Sequence, residues 1–105
     1  MKKETKAIHA GQGIDASSSA VNFPIYLSTT FEKDKDGTYP NGHVYSRYTN
    51  PNRVALENCL TDLEGGVACA CFSSGSAAMM TILQSLLPGD HVIVPDILYL
   101  SLIHI

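Results

Sequence analysis

The segment Phe72-Ser73-Ser74-Gly75-Ser76-Ala77 lies where an apolar run ends and a helical pattern begins. A strand, a turn of small residues and a helix N-terminus in succession make an anion cradle. The free N–H groups of a first helical turn converge on one spot, and the helix dipole favours negative charge there. No bulky side chain in Ser74-Gly75-Ser76 shields that backbone from a phosphate. By itself the motif is weak, because an ordinary turn of small residues has the same composition. It is not a Walker loop, which needs Gly-x-x-x-x-Gly-Lys-Ser/Thr, and the Gly-x-Gly-x-x-Gly dinucleotide fingerprint is absent as well.

The flanking pattern predicts an α/β unit. Asn50 suits an N-cap, and Pro51 suits the first helical position, where its missing N–H costs nothing. Leu56, Cys59, Leu60 and Leu63 then recur at helical spacing until Gly65-Gly66 stops the helix. The small-residue run 67–72 reads as a buried strand, and a second helix is expected over about 76–87. Pro88-Gly89-Asp90 breaks that helix, and His91-Val92-Ile93-Val94 reads as a second buried strand. Helix, strand, helix, strand with short turns implies parallel pairing. Charge agrees with this. Every Lys and Arg lies at or before Arg53, and after Glu64 only Asp90 and Asp96 are charged, so the second half reads as interior.

Residues 1–46 do not read as a self-sufficient core. Ser17-Ser18-Ser19, Asp34-Lys35-Asp36-Gly37 and Tyr39-Pro40-Asn41-Gly42 are loop chemistry. Residues 21–31 form a short apolar stretch containing Pro24, which suits an extended arm better than a central strand. Such an arm needs another surface to pack on, and a second subunit is the expected one.

The totals exclude several classes. At 105 residues the chain suits one small domain or a piece of a larger one. A net charge of -3 gives no reason to expect nucleic acid or an anionic membrane as partner. The longest apolar run, 77–87, is interrupted by Thr81, Gln84 and Ser85 and is too short to span a bilayer. Met1-Lys2-Lys3 is followed by Glu4, Lys6, His9 and Gln12 instead of an apolar stretch, so no secretion signal is expected and a cytoplasmic location is. Cys59, Cys69 and Cys71 match no zinc spacing and are expected to be buried thiols in a reducing compartment. The four histidines form no ligand pair, and no metal site is expected.

A second element bears on the anion cradle. In Tyr45-Ser46-Arg47-Tyr48, extended backbone would put Tyr45 and Arg47 on the same side. A phenol beside a guanidinium makes a phosphate clamp through charge-assisted bonds. The competing reading is a surface Arg with a Tyr packed on its stem.

Several motifs occur in order: Thr5-Lys6-Ala7-Ile8-His9-Ala10-Gly11-Gln12, Pro24-Ile25-Tyr26-Leu27-Ser28-Thr29-Thr30-Phe31, Tyr45-Ser46-Arg47, Asn50-Pro51, Ser73-Ser74-Gly75-Ser76-Ala77-Ala78, Gly89-Asp90 and Asp96-Ile97-Leu98-Tyr99. This ordered set closely resembles the start of the Cys/Met-metabolism (transsulfuration) family of pyridoxal-phosphate enzymes. That family includes cystathionine γ-synthase, cystathionine γ- and β-lyases, methionine γ-lyase and O-acetylhomoserine sulfhydrylase. The resemblance covers residues 5 to about 99. It implies an extended N-terminal arm with the first helix over 1–60, and over 61–99 the incomplete start of a fold type I, mostly parallel α/β cofactor domain. It further implies that Gly75 and Ser76 give backbone N–H groups to the cofactor phosphate, and that Tyr45 and Arg47 reach the same phosphate from a neighbouring subunit of a homodimer or homotetramer. Tyr99 would stack on the pyridine ring and assist proton transfer near an amino-acid substrate.

The resemblance also shows what this stretch lacks. The family's Schiff-base lysine and its acidic partner for the ring nitrogen lie further downstream. Here the lysines are Lys2, Lys3, Lys6, Lys33 and Lys35, all in the arm or its loops. The chain alone is therefore expected to be inactive. After Tyr99 the family continues with small residues, whereas Leu100-Ser101-Leu102-Ile103-His104-Ile105 follows here. That hexapeptide matches one reading frame of a widely used transposase-type sequencing adapter, so 100–105 is expected to be a non-native tail. The alternative to an enzyme fragment is a non-catalytic phosphate-ligand module on an α/β unit, or an interaction fragment that docks through its arm.

Overall fold

The computed structural model describes residues 2–98. Among the described residues three helices carry the regular structure: α1, Lys3–His9; α2, Pro51–Glu64; and α3, Gly75–Leu83. The chain divides into two units, Met1–Ala70 and Cys71–Ile105.

In the first unit α2 is the organising element. Asn50 is extended, and its side chain accepts from the N–H groups of Asn52 and Arg53 at 2.9 and 3.3 Å. At the other end Gly65 takes left-handed geometry, φ 66°, and its N–H reaches the Thr61 carbonyl. Both ends fall where the sequence places them. The short helix α1 is not foreseen in the sequence, since Lys2 offers no side-chain cap. Tertiary contact holds it. Lys6 Nζ donates to Asp62 Oδ1 at 2.8 Å, and Gly11 lies directly against the α2 backbone at Ala55 and Cys59.

The segment between α1 and α2 is looped. The Asp15 carboxylate accepts from the Ser17 and Ser18 hydroxyls and from the Ser18 N–H, at 2.6, 2.6 and 2.8 Å. These donors stabilise the ionised form and hold the Asp15 pKa down at about 2. Around Pro24, the Asn52 side chain clasps the arm from both sides. Its Oδ1 accepts from the Tyr26 N–H at 2.8 Å and its Nδ2 donates to the Pro24 carbonyl at 2.7 Å. Thr30 and Tyr45 form an isolated antiparallel bridge, flanked by Phe31 N–H to Val44 O and Ser46 N–H to Thr29 O.

In the second unit α3 is shorter than the sequence suggests. The pattern over 76–87 keeps its apolar character, but the helix spans Gly75–Leu83. The Ser85 hydroxyl takes the Ile82 carbonyl at 2.6 Å, and the N–H groups of Ser85 and Leu86 turn back to Ile82 and Leu83 in tighter turns. Gly89, at φ 100°, then reverses the chain, with Asp90 Oδ2 accepting from Leu87 N–H at 2.7 Å.

The expected buried strands differ most from the structure. Neither 67–72 nor 91–94 forms a ladder, and the described residues contain no β-strand. A parallel strand exists through its hydrogen bonds to neighbours, and no neighbouring strand flanks either run among the described residues. The same lack leaves their side chains uncovered: Val67 and Ile93 are fully exposed. Cys59, Cys69 and Cys71, expected in a core, are half-buried thiols. No described residue is buried. Among the described residues no helix is long and apolar enough to cross a membrane.

Candidate functional site

The start of α3 is built from Ser74, Gly75 and Ser76. Ser74 is extended, at φ -156° and ψ 157°, and caps the helix through its side chain, which accepts from Ala77 N–H at 3.1 Å. The Ser74 carbonyl accepts from Ala78 N–H at 3.2 Å. The Ser74 side chain thereby satisfies the third amide and its carbonyl the fourth. The amides of Gly75 and Ser76, the first two of the helix, have no acceptor among the described residues. A Cβ built on Gly75 would meet no heavy atom within 4 Å, so the backbone is open on that side. No acidic residue occupies the first turn. Two unpaired donors at the positive end of a helix, with an uncovered approach and no competing carboxylate, fit a phosphate ester.

Tyr45 and Arg47 lie in the first unit. The structure brings them together, though not through the extended backbone the sequence suggests. The Tyr45 carbonyl accepts from both Tyr48 and Thr49 N–H at 2.8 Å, so the chain turns through 46–48. This turn sets the Arg47 guanidinium over the Tyr45 ring, 5.2 Å from its centroid. The contact is a cation–π pair that keeps both groups adjacent. Among the described residues no carboxylate pairs with Arg47, and both side chains are exposed. Tyr99 lies outside the described residues.

A further residue, which the sequence pattern passes over, stands behind this turn. Arg53, in the first turn of α2, donates through Nη1 to the carbonyls of Ser46 and Arg47, each at 3.3 Å, and through Nη2 to that of Tyr48. Its Nε lies 3.7 Å from Glu57 Oε1, one helical turn on. A cation in a first helical turn opposes the macrodipole. That mismatch is the sequence signal for Arg53, since such a residue needs compensating acceptors elsewhere.

Comparison with known proteins assigns the family. The profile described as "Cys/Met metabolism PLP-dependent enzyme", PLP being pyridoxal phosphate, matches residues 4–104. Cystathionine gamma-synthase of Mycobacterium leprae is 51% identical over 96 residues, which cover 90% of this chain and 25% of that protein. Cystathionine beta-lyase of Coxiella burnetii is 47% identical over 96 residues, 91% of this chain and 24% of that protein. Among solved structures, cystathionine gamma-lyase from Lactobacillus plantarum, complexed with L-serine, aligns with a TM-score of 0.74 at 44% identity, over 87% of this chain and 23% of that one. The chain spans about a quarter of the length of the curated relatives it matches. A profile match across nearly every residue, joined to close sequence and backbone likeness, has one meaning: the chain belongs to the Cys/Met-metabolism family of pyridoxal-phosphate-dependent enzymes.

Proposed function

We propose that the chain is the N-terminal part of a transsulfuration enzyme of the cystathionine γ-synthase, cystathionine or methionine γ-lyase, or O-acetylhomoserine sulfhydrylase type. The intact enzyme performs β- or γ-elimination or replacement on sulfur amino acids or activated homoserine. Family membership and the names of the relatives support the reaction class. The observation that carries the site is the pair of amides opening α3 that have no acceptor among the described residues.

In this reading the Gly75 and Ser76 N–H groups donate to the phosphate oxygens of pyridoxal phosphate. The Tyr45 hydroxyl and the Arg47 guanidinium reach that phosphate from a neighbouring subunit of a homo-oligomer, and Tyr99 packs on the ring. When bound, the cofactor supplies an electron sink, and this chain contributes grip and orientation. Runs 67–72 and 91–94 become strands of a mostly parallel fold type I sheet whose neighbours come from the rest of the enzyme. With its lysines confined to Lys2, Lys3, Lys6, Lys33 and Lys35, the chain does no chemistry alone.

Gly75→Pro tests the cradle. Proline suits the first helical position, and Ser74 before it is already extended. The substitution therefore removes one donor while leaving the helix start intact. In the full-length enzyme it is expected to weaken retention of pyridoxal phosphate by about 1.5–3 kcal/mol, as for a bond to a charged acceptor. Binding of pyridoxal, which lacks the phosphate, is expected to stay unchanged. Equal retention of pyridoxal phosphate by variant and parent on dialysis would remove the assignment.

A further inference from the structure

We propose that Arg53 is the positioning residue of the Tyr45/Arg47 phosphate clamp, holding the turn that presents Arg47. The proposal rests on the reading that those two side chains grip the cofactor phosphate. The geometry is specific. The carbonyls of Ser46 and Arg47 belong to the two peptide planes on either side of the Arg47 Cα. Arg53 Nη1 donates to both, each at 3.3 Å. Nη2 donates to the next carbonyl, that of Tyr48. Fixing two consecutive peptide planes fixes φ and ψ at the residue between them, and so the direction in which its Cβ leaves the backbone.

The turn cannot do this alone. Its internal bonds, from Tyr48 and Thr49 N–H, both end on the Tyr45 carbonyl and leave the three following carbonyls to find donors. One planar fork with several N–H groups meets that need, which a lysine's point charge does not. Arg53 is itself held in place. The Asn50 cap accepts its N–H at 3.3 Å, and the side chain meets Glu57 on the same helix. The capped end of α2 thus transmits its rigidity to the clamp. With its donors spent on carbonyls, Arg53 acts through Arg47 and is not a phosphate ligand.

The test uses the full-length enzyme carrying these residues, freed of cofactor. Affinities for pyridoxal phosphate and for pyridoxal are measured by absorbance titration for the parent, Arg47→Ala, Arg53→Met, Arg53→Lys and the Arg47→Ala/Arg53→Met pair. The readout is the ratio of the two affinities, which general loosening of the fold does not move. Arg47→Ala is expected to lower the preference for the phosphate ester about tenfold or more, the scale of a charge-assisted bond. Arg53→Met is expected to lower it roughly three- to tenfold and to add nothing once Arg47 is gone, as coupled residues in one network do. Arg53→Lys keeps the stem and charge but loses the fork, so it is expected to follow the Met variant, and it decides the outcome should that variant fail to fold. A ratio that falls for Arg47→Ala but stays at the parent value for both Arg53 variants overturns the positioning role alone. Losses that add in the double variant overturn it too, because they make Arg53 an independent ligand. An unchanged ratio in Arg47→Ala sinks the clamp itself and this inference with it.

Discussion

Gly11 shows how much a single position decides. Its φ is +72°, and a Cβ there would run into the Ala55 carbonyl oxygen and approach Cys59 N to 2.8 Å. Both atoms belong to the backbone of α2, which cannot rotate aside. Gly11→Ala is therefore expected to cost about 2 kcal/mol or more, combining the left-handed penalty with overpacking against a rigid wall. Gly13, two residues on, has nothing within 4 Å of its Cβ position and is not at positive φ, so Gly13→Ala serves as a neutral control. Urea unfolding of the two variants in the full-length protein, together with protease cleavage near residue 10, measures the difference. Equal midpoints would mean that α1 does not depend on this close approach. The sequence offers both glycines in one Gly-x-Gly and cannot say which is indispensable, because the distinction lies in where α2 passes. Lys6 teaches the complementary lesson. Its bridge to Asp62 joins two side chains 32% and 48% exposed, and such pairs contribute at most about 1 kcal/mol. The glycine contact outweighs the ion pair in holding α1.

At the scale of elements, legibility follows the range of the information. Helix α2 is readable in full, because its start, Asn50-Pro51, and its stop, Gly65, are local chemistry. The start of α3 at Ser74-Gly75 is readable for the same reason. Helix α1 is not, since its seven residues lack a side-chain cap and depend on a partner far away in sequence. The Tyr45/Arg47 pairing is legible and its backbone is not. Period-two reasoning assumes extended chain, whereas the Tyr45 carbonyl draws two N–H groups into a turn that Arg53 then locks. The two expected strands fail for a different reason: a strand needs a neighbour, and none flanks 67–72 or 91–94 among the described residues. Asn52 gives this scale its prediction. Its side chain is the joint between α2 and the arm, bonded on both sides of Ile25. Asn52→Ala is expected to leave α2 helical, since Asn50 still caps it, while the Tyr26 amide loses its acceptor. Hydrogen exchange read by NMR checks this. The Tyr26 N–H is expected to exchange about fivefold or more faster, the equivalent of one net hydrogen bond near 1 kcal/mol, with the α2 amides unchanged. Unchanged exchange at Tyr26 would mean that other contacts hold the arm.

At the scale of the whole molecule, the decisive quantity is the apolar surface left uncovered. No described residue is buried, and Ile25, Leu27 and Ile97 stay 82%, 88% and 92% exposed. Burying one such side chain contributes roughly 1.5–3 kcal/mol. Fixing one residue's backbone costs about 1–2 kcal/mol. A chain that gathers helices but closes no core meets the second term without collecting the first. The arm and the runs 67–72 and 91–94 carry side chains of the type a core uses, and these stay uncovered among the described residues. The isolated 105-residue chain is therefore expected to keep part of its helix content by circular dichroism yet to melt over a broad range. It is also expected to bind the dye ANS and to show poor dispersion of methyl signals by NMR. The same segment inside the full-length enzyme is expected to show none of these signs, which separates a weak sequence from an uncovered one. A sharp calorimetric transition, at concentrations where sedimentation finds only monomer, would mean that these residues build a core of their own.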